Sequence, residues 1–155
     1  MTMKKHHEGF TNKKAFFDYE ILDTFEAGLV LEGHEIKSIR LGSVNLKGNF
    51  IHFWKDGLYV EAMHIGPYKF ATDKVISPMR KRKLLLHKKE IEKILTQCKQ
   101  KGISTTILEI YFKGPLLKAK IGLVRGKKLH DKRETLKKKD ELRQTQQALK
   151  HFMKS

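Results

Sequence analysis

The sequence predicts a mainly β protein with added helices. Runs rich in aromatic and β-branched residues alternate with two amphipathic helical patterns, in the order strand, short helix, strand, strand, helix, strand, strand. This is the connectivity of a five-stranded Greek-key barrel of the OB type, whose helix lies between strands three and four. The apolar patterning stops at Arg125, and a basic segment follows. We therefore predict three regions: a basic, mobile N-terminal arm (1–16), a barrel (17–125) and a basic tail (126–155).

The N-terminal half contains the first strand and the short helix. Residues 1–16 are basic and lack periodicity, which predicts the mobile arm. Residues 17–31 are rich in aromatic and branched side chains and predict a long bent strand. In residues 33–41, apolar side chains recur at helical spacing, which predicts a short helix that presents Lys37 and Arg40 as two cations.

Two hairpins are indicated by turn residues between strand-like runs. The runs are residues 49–54 and 58–65 around Lys55, Asp56 and Gly57, and residues 105–113 and 116–125 around Gly114 and Pro115. Residues 66–82 lack a sustained period and predict a long loop, which residues 83–86 continue with an apolar plug. Residues 87–101 carry apolar side chains at helical spacing before Gly102, which predicts an amphipathic helix.

Composition points to a polyanionic partner. The 155 residues contain 33 Lys and Arg against 17 Asp and Glu, for a net charge of +16. Such an excess repels itself unless a polyanion such as nucleic acid neutralises it. A membrane partner is not expected, because no apolar run approaches the ~20 residues of a span and no signal segment is present. The lone Cys98 excludes an internal disulfide and fits a reducing, cytosolic compartment.

A cluster of cations surrounds the apolar residues 84–86. The cluster consists of Arg80, Lys81, Arg82, Lys83, Lys88 and Lys89. RNA contact is favoured over a solvated charge run, because cations at this density ordinarily find an anion. His87 is either a helix N-cap or a base contact. Glu26 either orients cations in an RNA site or belongs to a salt-bridged scaffold.

The stretch GKKLHDKR, residues 126–133, begins the basic tail. Its cations and its lack of apolar period predict side chains that face solvent or an anionic partner. Asp131 and Glu134 have the spacing of a capping box, which predicts a helix starting near Lys132. The apolar stripe that includes Leu136 is too thin to stabilise a lone helix in water, so we expect the tail to be disordered when free and to fold on a partner.

Catalysis is not expected. His130 and Asp131 resemble the HD pair of metal phosphohydrolases, but the other histidines do not form the further ligand cluster that such a metal site needs. No phosphate-binding glycine loop, nucleophile elbow or acid dyad is present, and no cofactor is predicted. Two alternatives remain open beside a specific RNA-binding role: a general OB-type RNA chaperone or ribosomal protein, and a hydrolase that uses this pair.

Nearly the whole chain resembles the SsrA-binding protein family, small protein B, the partner of transfer-messenger RNA in bacterial ribosome rescue. The matching stretches are EAGLVLEGHEIKSIRLGSVNLK (26–47), MHIGPY (63–68), RKRKLLLHKKE (80–90) and, most specifically, GKKLHDKRETLK (126–137). The resemblance implies an OB-like barrel that binds the tRNA-like domain of transfer-messenger RNA. One departure is that many members carry basic residues and a histidine where this chain has Phe16 and Phe17.

The resemblance also implies partners and site residues. The implied RNA face contains Tyr19, Glu26, Lys37, Arg40, Leu85 and His87, to which the charge cluster adds Arg82 and Lys83. The tail is expected to become helical in the decoding centre and empty mRNA channel of the small ribosomal subunit, against ribosomal RNA. Its implied contact residues are Gly126, Lys127, Lys128, His130, Asp131, Lys132, Arg133, Leu136 and Lys137. Elongation factor Tu is expected to be an indirect partner through the charged RNA.

Overall fold

The computed structural model describes residues 9–68 and 77–127, together with Arg133, Leu136, Lys137, Arg143 and Gln144. Within these residues the protein is mainly β, as predicted, and its elements include three helices, the first of which was not predicted. In chain order the elements are β1 (Gly9–Thr11), α1 (Lys13–Asp18), β2 (Tyr19–Leu29), α2 (Gly33–Arg40), β3 (Val44–Asn45), β4 (Phe50–Trp54), β5 (Gly57–Glu61), β6 (His64–Ile65), β7 (Arg82–Leu85), α3 (Lys88–Cys98), β8 (Ile103–Lys113) and β9 (Leu116–Gly126).

Seven strands form one antiparallel sheet in the order β1-β8-β9-β2-β7-β5-β4, and β3 pairs separately with β6. The large sheet curls until its β4 edge reaches β8. Asn49, just before β4, accepts hydrogen bonds from the Ile107 backbone N–H at 2.7 Å and from the Thr106 hydroxyl at 2.9 Å to its carbonyl oxygen. These bonds satisfy buried polar groups at the place where β4 and β8 approach each other without pairing as strands. The OB-like barrel prediction is confirmed.

The inner face of the barrel forms the hydrophobic core. Inward positions alternate along the strands, so that Val60, Ile110 and Ile121 are fully buried. The helices contribute as well, since Ile39 of α2 and Ile94 of α3 are buried in the same cluster. This packing confirms both predicted amphipathic helices and fixes their positions relative to the sheet. No helix in the described part of the chain has the length and apolarity needed to cross a membrane.

The predicted mobile arm is wrong for residues 9–16, which form β1 and most of α1. β1 adds to the edge of the sheet by pairing with β8. The buried Asn12 then caps α1 by accepting from the Ala15 backbone N–H, while its amide group donates to the carbonyl oxygens of Leu46 and Ile107. An Asn before a helix is a recognisable start signal, and it was overlooked in a segment defined by its charge.

The long strand predicted over residues 17–31 begins later than expected. Phe17 and Asp18 end α1, and extended backbone starts at Tyr19. Phe16 is exposed on the same helix. Aromatic residues favour strands only on average, and here the Asn12 cap determines a helical turn instead.

β7 differs from the prediction, which placed these residues at the end of a loop and in an apolar plug. Arg82–Leu85 is an interior strand that pairs with β2 on one side and with β5 on the other. Leu84 fills the core from this strand, and it is 1% exposed. Of the predicted loop 66–82, residues 69–76 lie outside the described residues.

The first hairpin is confirmed with a shorter turn. Trp54 pairs with Gly57, so the connecting residues are Lys55 and Asp56, and Gly57, which was predicted in the turn, begins β5. Lys55 has a φ of 56°, in the left-handed region that a non-glycine residue rarely adopts. Ala62, with a φ of 60°, ends β5, so the predicted strand 58–65 is divided into β5 and β6.

The second hairpin, β8 with β9, is confirmed around Gly114 and Pro115. At its other end, Leu108 and Val124 form a small buried cluster with Ala15 of α1 on the outer side of the sheet. Gly122 makes room for this cluster, because a Cβ there would lie 2.6 Å from Leu108 Cδ1. α1 therefore covers one part of the outer face.

Candidate nucleic-acid interface

Helix α2 presents two of the predicted RNA-binding cations to solvent. Lys37 and Arg40 are both exposed and lie one turn apart. The Nζ atom of Lys37 lies 5.5 Å from the centroid of the Tyr68 ring, and the Cζ atom of Arg40 lies 5.1 Å from that of Phe112. Cations within about 6 Å of a ring centroid are attracted by the negative ring face. The rings orient both side chains while the charges stay accessible to an anion.

Glu26, Lys83 and Leu85 lie together on the outer face of the barrel. Ala27 and Leu84 are buried on the inner face, so their neighbours in each strand point outward. β2 and β7 are adjacent at this point, which makes the outer face of one strand continuous with that of the other. Leu85 is 54% exposed there. An exposed leucine beside a lysine suits contact with a partner that has both apolar and anionic parts.

Glu26 is ionised and held by two donors on β8. Its carboxylate accepts from the Tyr111 hydroxyl at 2.6 Å and from the Lys113 Nζ at 3.3 Å. The hydrogen bond from Tyr111 lowers the pKa of Glu26 below its usual value. Burial, together with the Glu26 carboxylate, raises the pKa of Tyr111 to about 12. Both alternatives left open for Glu26 are compatible with this geometry, because one carboxylate oxygen can be shared with a partner.

Lys83 is held at the same face by the hairpin turn. Its Nζ lies 2.9 Å from an Asp56 carboxylate oxygen, and the same carboxylate accepts from the Tyr59 hydroxyl at 3.2 Å. This hydrogen bond raises the pKa of Lys83 and lowers that of Asp56. Lys83 therefore keeps a full positive charge at neutral pH.

His87 is the N-cap of α3. Its carbonyl oxygen accepts from the Glu90 backbone N–H at 2.9 Å, and the Glu90 side chain accepts from the His87 backbone N–H at 3.1 Å. The capping alternative predicted from the sequence is confirmed. The ring is also exposed. β7 runs antiparallel to β2, and Leu85 pairs with Gly28. The chain that follows Leu85 therefore runs alongside β2 toward Glu26, which brings His87 near Glu26.

Arg82 was predicted to contact RNA, and the structure contradicts this. Its side chain is inside the barrel and only 1% exposed. The guanidinium Nε donates to Glu35 of α2 at 2.7 Å, and its other nitrogens donate to the carbonyl oxygens of Met63 and Pro78. The prediction failed because a run of four cations is typical of a solvated surface. The buried counterion of Arg82 is Glu35, which lies 47 residues away in the sequence.

The Glu35 carboxylate is the centre of this buried network, and sequence reasoning missed it. Arg80 also donates to this carboxylate. The Glu32 backbone N–H donates to the same carboxylate at 2.9 Å, which fixes the start of α2. Burial opposes ionisation of Glu35, but the hydrogen bonds from Arg80, the backbone and Arg82 outweigh it and lower its pKa. Burial lowers the pKa of Arg82, and the Glu35 carboxylate opposes that shift. The network ties α2 to β7.

Tyr19 and the first two residues of the predicted tail belong to the barrel. Tyr19 is half-buried and pairs with Gly126, the last residue of β9. The Lys127 backbone N–H donates to the Asp18 carbonyl at 2.9 Å, and its Nζ donates to the Phe16 carbonyl at 3.2 Å. A boundary at Gly126 is therefore too early, because Lys127 stabilises the C-terminal end of α1.

Most of the other predicted tail residues lie outside the described residues, namely Lys128, His130, Asp131 and Lys132. Arg133, Leu136 and Lys137 are described as helical and exposed. In the described part of the chain, no group of three or more His, Cys, Asp or Glu side chains is arranged to hold a metal ion.

The fold and the site together define an OB-like barrel protein with a basic surface that includes aromatic rings. The family model for SmpB protein matches residues 9–151. The chain belongs to this family, which confirms the resemblance drawn from the sequence.

Similar proteins and structures agree. The SsrA-binding protein of Geobacter metallireducens is 48% identical over 144 residues, which cover 93% of this chain and 94% of that protein. The SsrA-binding protein of Nitratiruptor sp. is 50% identical over 145 residues, covering 92% and 96%. A solved structure described as "tmRNA-SmpB: a journey to the center of the bacterial ribosome" has a TM-score of 0.68 at 42% identity, covering 83% of this chain and 94% of that chain.

Proposed function

We propose that this protein binds the tRNA-like domain of transfer-messenger RNA and delivers it to stalled ribosomes for trans-translation. The observation that carries the proposal is the family match over residues 9–151, which spans both the barrel and most of the basic tail. The similar proteins are named for SsrA binding, and the similar structure is named for the tmRNA complex and the ribosome. The role is one of binding and positioning, without catalysis, and it places the protein in the cytoplasm.

The geometry of the barrel supports an RNA face. Lys37 and Arg40 on α2 and Lys83 on β7 are accessible cations. Leu85 and His87 add an apolar and an imidazole contact near Glu26. Phosphate contacts position an RNA, while apolar and ring contacts suit unstacked bases in a folded RNA. A general RNA chaperone would bind single strands and folded RNA alike, whereas the proposed function requires a preference for one folded domain.

The tail supplies the second half of the proposal. The segment GKKLHDKR and the residues that follow it would enter the decoding centre and the mRNA channel when these are empty. A channel that contains mRNA would exclude the tail, so the choice of stalled ribosomes depends on steric competition rather than on codon reading. Elongation factor Tu would act on the same complex through the charged RNA.

The test replaces three tail residues in the full chain, Asp131→Ala, Lys132→Ala and Arg133→Ala. The substitutions remove the predicted helix cap and two phosphate-directed cations without touching the barrel. We expect affinity for the tRNA-like domain, measured by anisotropy of labelled RNA, to stay within about twofold. Tagging of a nascent peptide on a stalled ribosome should fail in a reconstituted translation reaction.

A matched control replaces Lys138, Lys139 and Asp140 by Ala, which changes the net charge by the same amount within the same tail. This control should support tagging. If the first variant tags normally, the tail has no role in the decoding centre. If both variants fail equally, tail charge alone accounts for the effect, and the specific role of residues 131–133 is wrong.

A further inference from the structure

The outer face of the first hairpin carries aromatic rings and cations that the predicted RNA face does not include. Trp54 of β4 is 37% exposed and packs edge-to-face against Tyr59, with ring centroids 5.1 Å apart. The Nζ atoms of Lys55 and Lys81 lie 4.2 and 4.4 Å from the centroid of a Trp54 ring. We call Trp54, Lys55, Tyr59 and Lys81 the Trp54 cluster.

Core packing does not explain the Trp54 cluster. Alternation along β4 buries Ile51 and directs Trp54 to the outside. Lys55 has a left-handed backbone, which a non-glycine residue rarely adopts, and its ammonium group lies over the indole. A second ammonium group, from Lys81, lies over the same indole and 3.3 Å from a Glu61 carboxylate oxygen, which offsets the repulsion between the two lysines. A phosphate that displaces this carboxylate would meet both ammonium groups.

The Trp54 cluster is continuous with the predicted RNA face. On the outer side, Lys83 of β7 is the register partner of Tyr59, which lies beside β4 and contacts Trp54. Leu85 follows Lys83 by two residues and points to the same face. Adjacent strands are about 4.8 Å apart, so β4 lies roughly 10 Å from β7 across the sheet. A single folded RNA that covers Lys83 and Leu85 therefore extends across the same outer face to Trp54.

We propose that an unpaired base of the RNA bound by the barrel displaces the Lys55 and Lys81 ammonium groups from the Trp54 ring and stacks there, and that the two lysines then contact the phosphates beside that base. An exposed aromatic ring flanked by cations is the arrangement by which proteins hold unstacked nucleotides. Glu61 lies 3.3 Å from the Lys81 Nζ and keeps this side chain at the face in the absence of RNA. The inference rests on the proposed function, because it requires RNA on the face that contains Lys83.

Trp54 provides its own probe, because it is the one tryptophan in the 155-residue sequence. The full chain is titrated with the tRNA-like domain of transfer-messenger RNA, and tryptophan emission is recorded beside the anisotropy of end-labelled RNA. We expect the emission to be quenched with the same midpoint as the anisotropy change. A fully paired RNA duplex should leave the emission unchanged, because it offers no unpaired base.

The two readouts separate this inference from the proposed function. Saturating anisotropy with unchanged emission would leave the proposed function standing and remove Trp54 from the interface. Equal quenching by the duplex would overturn base stacking. Absence of any binding would overturn the proposed function and this inference with it.

Variants test the contribution of the cluster. Trp54→Leu keeps an apolar side chain but removes the ring, and it should weaken binding about 5- to 100-fold. The pair Lys55→Ala and Lys81→Ala should lower the salt slope of binding by about two. The matched pair Lys99→Ala and Lys101→Ala changes net charge equally at the exposed end of α3. Equal weakening by both lysine pairs would mean nonspecific attraction and would refute the proposed phosphate contacts.

Discussion

The buried ion pair between Glu35 and Arg82 gives the sharpest stability prediction. The Arg82 side chain is 0% exposed and that of Glu35 is 3% exposed. Removing one partner of a buried pair typically costs about 3–5 kcal/mol, because the other charge remains buried without compensation. Arg82→Met leaves Glu35 paired with Arg80, so we expect a cost near 3 kcal/mol. Glu35→Gln leaves Arg82 without its counterion, so we expect a cost nearer 5 kcal/mol.

Urea unfolding followed by circular dichroism measures these costs as changes in the free energy of unfolding. The double variant should cost less than the sum of the single variants, because the two residues share one interaction. The control is the cross-strand pair Glu20 and Arg125, whose atoms are 2.9 Å apart and whose side chains are 53% and 52% exposed. Breaking that pair should cost about 0–1 kcal/mol. An Arg82→Met cost as small as the control cost would refute the assignment of a buried, compensated pair.

The pH dependence of unfolding provides a second measurement on the same variants. Hydrogen bonds lower the pKa of Glu35 in the folded state below its usual 4.5 despite burial. The Glu35 contribution to stability is therefore present above pH 4.5 and is lost as the pH falls through the lower folded pKa. The difference between the native chain and Glu35→Gln should shrink on acidification below that value. A difference that grows on acidification would mean that burial raises the pKa of Glu35 by more than the hydrogen bonds lower it.

Two further predictions concern single contacts. Tyr111→Phe should raise the pKa of Glu26, measured by NMR titration, because it removes the hydrogen bond that lowers it. In the native chain, absorbance titration should show Tyr111 ionising at a pH of about 12. Because the folded state raises this pKa, the contribution of Tyr111 to stability is present below pH 10 and is lost as the pH rises through about 12. Gly122→Ala should destabilise the protein by about 1–3 kcal/mol in urea, since the new Cβ overlaps Leu108. Gly33→Ala, where nothing lies within 4 Å, should be near neutral, and equal costs at both sites would exclude overpacking as the cause.

Local patterns were sufficient to predict much of the barrel. Both hairpins carry their own turn residues, and α3 carries an apolar stripe that ends before Gly102, so each element is determined by residues close in sequence. The α2 cations, Lys37 and Arg40, were found because the helical period separated them from the apolar side. The His87 cap was likewise predictable, because Glu90 follows it at capping-box spacing.

The failures share a cause, which is a partner distant in sequence. β7 was missed because Arg82 reads as a surface cation until Glu35 is known to be buried beside it. The start of the barrel was missed because β1 pairs with β8, about 100 residues later. The Trp54 cluster was missed since Lys81 reaches the indole only after β7 has joined the sheet.

The run RKRK at residues 80–83 shows how one basic segment serves two purposes. Strand alternation sends Arg82 inward to Glu35 and Lys83 outward beside Tyr59, and Arg80 and Lys81 divide in the same way. The inward arginines fix the position of α2, and hence of Lys37 and Arg40, relative to the outer face that bears Lys83. Arginine suits the inward positions because its planar donors can bind several acceptors at once, whereas the strongly hydrated ammonium group of lysine suits an exposed face. The positions of the two arginines in this run therefore match the buried Glu35 carboxylate, a distinction that net charge does not show.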